Sequence, residues 1–369
     1  MPDLKTLYDI RQSLHKVPEI AFGEVKTQEI IINELKEFTS LVLTRFEPTG
    51  LLYEHSTGEG EYILFRADMD ALPITENTGC DFTSEHNGFM HACGHDMHIT
   101  ILIGLIQYVV KNNLKKNLLF LFQPAEEGEG GAEKIIKTGV FNKYKIKSAY
   151  ALHITGAYKT GSIAVKQGIM LGIPQEFNVE ITGKSSHVAT PQKGIDAFLA
   201  GMSFYQEMMT LIAKRFPAQE PILFHIGKAS AGTVRNIIPE TCTFEGTFRC
   251  LKTEVKQKII NIMETVAESV EKSHEVAVKI SFLCSYAPVD NDENLTNHFV
   301  KNIPADIVLH QAETSMIGED FGYFSQLFPS VMFWLGTNST EDLHSSKFLP
   351  DEKSIDVALE IYKCILQQD

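Results

Sequence analysis

Cys93 and His95 stand two residues apart in His91-Ala92-Cys93-Gly94-His95-Asp96, directly before a long apolar run. On an extended or looped backbone, residues i and i+2 project to the same side, so this thiol and imidazole can converge on one point. Both bind borderline-soft divalent metals well. A buried cysteine beside a capping aspartate would leave the same short signature, so the motif depends on its company. Asp68 and Asp70 follow the apolar run Tyr62-Ile63-Leu64-Phe65. Glu126 and Glu127 follow Leu118 to Phe122, and His153 closes Ala149-Tyr150-Ala151-Leu152. His344 sits in Asp342-Leu343-His344-Ser345-Ser346. Singly, each reads as a helix cap, a solvated turn or a satisfied histidine. Their shared placement after apolar strands or turns is harder to explain that way.

The elements that must position these groups follow from periodicity. Leu4, Leu7, Ile10 and Leu14 fall at helical spacing, and a second helix fits Glu24 to Phe38. Strands fit Leu51 to Tyr53, Tyr62 to Phe65, Leu118 to Phe122 and Ala149 to His153. His98 to Val110 is apolar nearly all round, which predicts a buried helix. Strands alternating with helices, with polar groups at strand ends, predict an α/β sheet with its ligands at those ends. The pattern changes near Gly172. Phe177, Val179 and Ile181 alternate with polar residues, and helices fit Gly194 to Leu211 and Thr253 to Glu271. Strands fit Ile222 to Lys228, Cys242 to Phe248 and Val276 to Phe282. The resulting βαββαβ order is ferredoxin-like. The expected organisation is a first domain, 1–171 and 287–369, with mixed sheet and flanking helices. Residues 172–286 form an inserted domain.

At 369 residues the chain is long for one core, and two domains are the default. The 33 Lys and Arg against 47 Asp and Glu leave a net charge of −14, which argues against nucleic acid or an anionic membrane as partner. The opening Met1-Pro2-Asp3-Leu4-Lys5 lacks a signal-peptide layout. The longest apolar run, Ile99 to Val110, falls short of the ~20 residues of a spanning helix. Six cysteines without framework spacing read as reduced thiols. A cytoplasmic protein is expected.

Seven stretches resemble, in order, the amidohydrolase branch of the aminoacylase-type dinuclear metallopeptidases, peptidase family M20. They are Phe65-Arg66-Ala67-Asp68-Met69-Asp70-Ala71-Leu72-Pro73-Ile74, the stretch from His91 to Asp96, and Phe122-Gln123-Pro124-Ala125-Glu126-Glu127-Gly128. Gly183-Lys184-Ser185-Ser186-His187, Asn236-Ile237-Ile238-Pro239, Gly318-Glu319-Asp320-Phe321 and Leu343-His344-Ser345 complete the set. The family more often has Gly-Lys-Gly-Gly where this chain has Gly183-Lys184-Ser185-Ser186. Within the branch, His153-Ile154-Thr155, Gly232 to Ile238, Gly318 to Tyr323 and Met332 to Gly336 are most similar to N-acetyldiaminopimelate deacetylases.

The resemblance implies a site for two divalent ions, Zn, Mn, Ni or Co, held by Cys93, His95, Glu127, His153 and His344, with Cys93 bridging as thiolate. Glu126 falls on the family's general base. Asp68 and Asp70 are assigned to the site in supporting roles, since a carboxylate bonded to a ligand imidazole orients it. His187 of the insertion approaches the reacting carbonyl or the substrate carboxylate, supplied in cis or by the partner of a homodimer. Arg235 and Asn236 are expected to hold the α-carboxylate, and Glu319, Asp320 and Phe321 to line the pocket. His98 is expected as a core histidine rather than a ligand. His15, His55, His86, His91, His225, His274, His298 and His310 are read as structural. The implied reaction is hydrolysis of an N-acyl amino acid, foremost the acetyl amide of N-acetyl-L,L-diaminopimelate. The same constellation would serve a broader aminoacylase, a hippurate hydrolase or an N-acetylcysteine deacetylase. A non-catalytic amino-acid or metal binding module would lack the base or a ligand, and here every one of those positions is filled.

Overall fold

Two apolar runs, Tyr62–Asp68 and Asn117–Gln123, become almost wholly buried strands, and the larger part of the fold is built outward from them. In the computed structural model, which describes residues 4–368, the chain begins with α1 (Leu4–His15), α2 (Val25–Leu35), β1 (Val42–Phe46), β2 (Gly50–His55) and β3 (Tyr62–Asp68). It continues with α3 (His95–Lys111), β4 (Asn117–Gln123), α4 (Gly131–Lys137), β5 (Ile146–Thr155), β6 (Ser162–Val165) and β7 (Gly168–Leu171). Then come β8 (Ile173–Thr182), β9 (Ser186–His187), α5 (Ala197–Arg215), β10 (Leu223–Ala231), β11 (Ile237–Ile238), β12 (Thr241–Cys250), α6 (Thr253–His274) and β13 (Ala277–Ser285). The chain closes with β14 (Val289–Asn291), α7 (Glu293–Lys301), β15 (Val308–Gln311), α8 (Gly322–Ser325), β16 (Ser330–Gly336) and α9 (Ser354–Gln368).

The chain folds as two units. The first holds residues up to Met170, Val289–Thr314 and Glu319 onward. Its sheet runs β1-β2-β4-β3-β5-β16-β6-β15 and is mixed: β3, β4, β5 and β16 pair in parallel, whereas β1, β2 and β6 bring antiparallel edges. Parallel central strands need cover on both faces, which is why they read as continuous apolar runs. Helix α3 lies on β3, β4 and β5 and packs against α1, α2 and α9. Phe65 stacks between Phe120 and Tyr150, with ring centroids 6.1 and 5.7 Å away, and Tyr362 of α9 meets its edge at 5.0 Å. Each such buried ring contributes about 1.5–3 kcal/mol.

The second unit holds Leu171–Pro288 and Ser315–Gly318. Its antiparallel sheet, β10-β12-β8-β13, carries α5 and α6, the ferredoxin-like arrangement. Strand β8 alternates buried Phe177, Val179 and Ile181 with exposed polar residues, and α6 buries Val255, Ile259, Met263, Val266 and Val270 at helical spacing. One correction to the expected organisation concerns Ser315–Gly318, which the sequence reading assigned to the first domain. These residues pack with the insertion because Gly172 donates its N–H to the Ile317 carbonyl at 3.1 Å and Arg249 Nη1 donates to the Met316 carbonyl at 2.8 Å. All six cysteines carry free thiols, and no helix among the described residues is long and apolar enough to cross a membrane.

Candidate metal centre

Strands β3, β4 and β5 are parallel neighbours, so their carboxyl ends open at one edge of the first unit's sheet, where ligand sites in such sheets form. Asp68 ends β3, the loop carrying Glu126 and Glu127 leaves β4, and His153 lies near the end of β5. Helix α3 starts there too. Gly94, its N-cap, has φ +79°, and a Cβ on it would sit 2.0 Å from Ile154 Cδ1. Only glycine lets the backbone turn between Cys93 and His95 that close to β5. Gly131 has the same role under the glutamate loop, where a Cβ would fall 1.8 Å from the Pro124 carbonyl oxygen. His344 itself has φ +67°, and its N–H donates to the Ala92 carbonyl at 2.9 Å, tying its loop beside Cys93.

The five expected ligands come together as two triads that share one atom. Ligand atoms of Cys93, His95 and His153 lie within 4.8 Å of one another, and so do those of Cys93, Glu127 and His344. Cys93 Sγ is 3.3 Å from His153 Nε2, and His344 Nε2 is 3.3 Å from Glu127 Oε1. His153 Nδ1–H donates to the Ile154 carbonyl at 2.8 Å, which leaves Nε2 with a lone pair toward the thiol. His95 Nδ1 lies 3.4 Å from Asp70 Oδ1 and its Nε2 3.7 Å from Asp68 Oδ2, but neither nitrogen makes a hydrogen bond. Asp70 accepts from the backbone N–H of both Glu126 (3.1 Å) and Glu127 (2.9 Å), so it fixes the loop that bears them.

The charge balance of this edge is lopsided. Asp68, Asp70, Glu126, Glu319 and Asp320 are buried beside Arg66 and the less deeply buried Glu127. Burial, followed by the charges of Glu319 and Glu127, pushes Glu126 well above the ordinary carboxylate range. Burial and then Glu127 push the Cys93 thiol well up, and burial holds His153 neutral. His95 goes the other way: burial pulls it down, but Asp68 and Asp70 outweigh that and carry it to about 10. Buried carboxylates in such excess over cations are costly unless a further positive charge joins them. Unbonded ring nitrogens on His95, an unbonded Glu127 Oε1 and a thiol, imidazole and carboxylate donor set fit divalent metal ions.

Asp68 takes a supporting position. Its Oδ2 accepts from Arg66 Nη1 at 2.6 Å, and its Oδ1 is 2.5 Å from His98 Nδ1. His98 accepts the Ile154 N–H on its other nitrogen at 3.0 Å, so both ring nitrogens are occupied and it buttresses the site rather than ligating. Arg66 was missed by the sequence reading. It is fully buried and bonds Gln123 Oε1 (2.9 Å), Glu319 Oε1 (3.0 Å) and Asp320 Oδ1 (2.8 Å) as well as Asp68. The available signal was a lone guanidinium inside an otherwise apolar strand, which must be paired.

Two pocket-lining expectations are corrected here. Asp320 is fully buried, and its oxygens accept from Arg66, Gln123 Nε2 and the Ala132 N–H, which leaves nothing for a substrate. Phe321 is equally buried against Phe324, with ring centroids 5.7 Å apart. Glu319 is bonded through Oε1 to Arg66 and to the Phe321 N–H, while its buried Oε2 is unbonded, and one Glu319 oxygen lies within 4.8 Å of ligand atoms of Asp68 and His153. His187, Arg235 and Asn236 belong to the second unit. There β9 pairs with β11, His187 opposite Ile237, and the Val188 N–H donates to the Asn236 carbonyl at 3.3 Å. All three side chains are exposed on that ribbon. His187 Nδ1 accepts the Ala189 N–H at 3.1 Å, which makes Nε2 the protonated nitrogen of the neutral ring. Neither Ser185 nor Ser186 has a positive φ, so the loop takes serine without strain.

The chain is 38% identical to an N-acetyldiaminopimelate deacetylase of Anoxybacillus flavithermus over 96% of its own length and 94% of that protein. It is 36% identical to the N-acetyldiaminopimelate deacetylase of Bacillus subtilis, covering 97% of each. Among solved structures, a dinuclear metal binding peptidase of the M20 family from Bacillus subtilis superposes with a TM-score of 0.84 at 30% identity, covering 98% of this chain and 97% of that one. The family model described as peptidase family M20/M25/M40 matches residues 64–368, the span that carries both Cys93 triads and buried Glu126, and the chain belongs to that family.

Proposed function

We propose that this chain hydrolyses the acetyl amide of N-acetyl-L,L-diaminopimelate, releasing diaminopimelate and acetate, as a metal-dependent amidohydrolase. The observation that carries the reading is the sharing of Cys93 between two ligand triads, with Glu126 buried next to Glu127. The names of the full-length relatives support the substrate. Cys93, His95, Glu127, His153 and His344 would hold two divalent ions, which supply a water of lowered pKa and a Lewis acid for the acetyl carbonyl. Zn, Mn, Ni and Co all suit the donor set, and elemental analysis of freshly purified enzyme identifies the native one.

Glu126 is the proton carrier. Its raised pKa equips it to take a proton from water and pass it to the departing amine. Asp70 keeps the Glu126 and Glu127 backbones in register, and Asp68 holds His98 and Arg66 beside His95. We assign His187 to the reacting carbonyl or the substrate carboxylate, from this subunit or its partner, and Arg235 and Asn236 to the α-carboxylate. A homodimer is supported by the exposed apolar face of α5, formed by Phe198, Leu199, Met202, Tyr205 and Met209. The enzyme acts on a small molecule, and we place it in the cytoplasm as part of lysine and cell-wall precursor synthesis.

Released amine is measured with N-acetyl-L,L-diaminopimelate, hippurate and N-acetylcysteine. Strong preference for the first supports the assignment; equal rates, or preference for hippurate, leave the chemistry and remove the pathway. Glu126→Gln should lower turnover by roughly a hundred- to ten-thousand-fold while metal content stays unchanged. Persisting activity would refute the base assignment.

A further inference from the structure

A second cluster of ligand-type side chains lies apart from the two triads, where the loop after β3 meets α1. His15 Nε2 is 3.2 Å from Glu76 Oε1, and Cys80 Sγ is 3.7 Å from the same oxygen. All three ligand atoms fall within 4.8 Å of one another. His15 Nδ1 is 2.8 Å from Asp96 Oδ2, a carboxylate also held by Arg11 Nε at 2.9 Å. With Nδ1–H given to Asp96, Nε2 meets the Glu76 carboxylate either through a second ring proton or through a metal ion held between them. A carboxylate bonded to the far nitrogen of an imidazole is the arrangement that orients ligand histidines at metal sites.

From these contacts we infer that His15 Nε2, Glu76 Oε1 and Cys80 Sγ form a third, mononuclear site for a zinc-like divalent ion, oriented by Asp96. The distances fit. Metal bonds of about 2.1 Å to N and O and 2.3 Å to S give tetrahedral edges of about 3.4 Å for N to O and 3.6 Å for O to S. The observed edges are 3.2 and 3.7 Å. The side chains of His15 and Glu76 are 1% and 4% exposed, whereas Cys80 is half-buried, so an ion can enter from its side and keep a water there. Glu76 Oε2 accepts the Ser84 N–H at 2.6 Å, and Oε1 also accepts the Thr78 hydroxyl, so the loop already holds the carboxylate in place. His91 adds a neighbouring donor: its ring centroid is 6.4 Å from that of His15, and both its nitrogens are buried without a hydrogen bond. The bound ion would clamp the 76–84 loop to α1 and to the first turn of α3, where Asp96 follows His95. It has a structural part, separate from the two triads.

The test uses the full-length protein and Zn²⁺. Iodoacetamide labelling of Cys80 is followed by peptide mass spectrometry with and without Zn²⁺, and bound zinc is counted after desalting. Zinc should slow Cys80 alkylation about tenfold or more in the wild type and have no effect on it in Glu76→Gln. Cys80→Ser should bind one zinc fewer per chain than wild type and keep its deacetylase activity. Zinc-independent labelling of Cys80, or equal zinc in wild type and Cys80→Ser, overturns the site and leaves a proton bridging His15 and Glu76.

Discussion

Replacing Arg66 by Met removes the guanidinium that Asp68, Glu319 and Asp320 share, at 2.6, 3.0 and 2.8 Å, and leaves their charges buried. Breaking a buried pair by deleting one partner costs about 3–5 kcal/mol, a large fraction of the 5–15 kcal/mol that typically separates native from unfolded states. For a unit of this size that corresponds to a fall in melting temperature of roughly 10 °C. Arg66→Lys keeps the charge but not the fork that reaches several acceptors, so its loss should be intermediate. The pH dependence adds a second constraint. Burial already pushes Glu319 to about 7 and Asp320 to about 6 despite Arg66. Without the guanidinium these carboxyls escape the penalty by binding protons, so Arg66→Met should be less damaging at pH 5 than at pH 8. Thermal unfolding of metal-loaded wild type, Arg66→Met and Arg66→Lys followed by circular dichroism measures this. A shift of under about 2 °C for Arg66→Met at pH 8 would refute the view that Arg66 holds this edge together.

Because Cys93 belongs to both triads, Cys93→Ser should drop metal content by more than one ion per chain, whereas His153→Ala or His344→Ala should each remove about one; elemental analysis after dialysis distinguishes the two patterns. Glu24 is fully buried, accepts from Thr49 Oγ1 at 2.5 Å and the Ala125 N–H at 2.9 Å, and is pushed by burial to about 7. Its folded pKa is raised, so the folded state is favoured below pH ~4.5 and loses about 3 kcal/mol as pH rises to and beyond 7. Glu24→Gln should therefore gain stability relative to wild type between pH 5 and pH 8 in urea unfolding, and parallel pH profiles would contradict the argument.

The local parts of this protein were legible from its residues. The apolar run Leu118 to Phe122 reads as an interior strand, the 3.6 period of Val255, Ile259, Met263 and Val266 as a half-buried helix, and alternation in β8 as a one-sided sheet. Those patterns, with polar groups at strand ends, are properties of single segments, so an α/β sheet, the ferredoxin-like insertion and the strand-end candidates could be read in advance, while their division into ligands and base came from the family resemblance. Distance in sequence hid the rest. Arg66 meets Glu319 and Asp320 across more than 250 positions, and only the folded chain shows that Asp320 spends its oxygens on Arg66, Gln123 and Ala132. His15, which looks like an ordinary helix-end histidine, faces Glu76 and Cys80 only because α1 packs on α3. A residue's type and its period are set locally by side-chain chemistry and backbone geometry. Its partner is set by which elements share a core, and no single stretch of sequence contains that information.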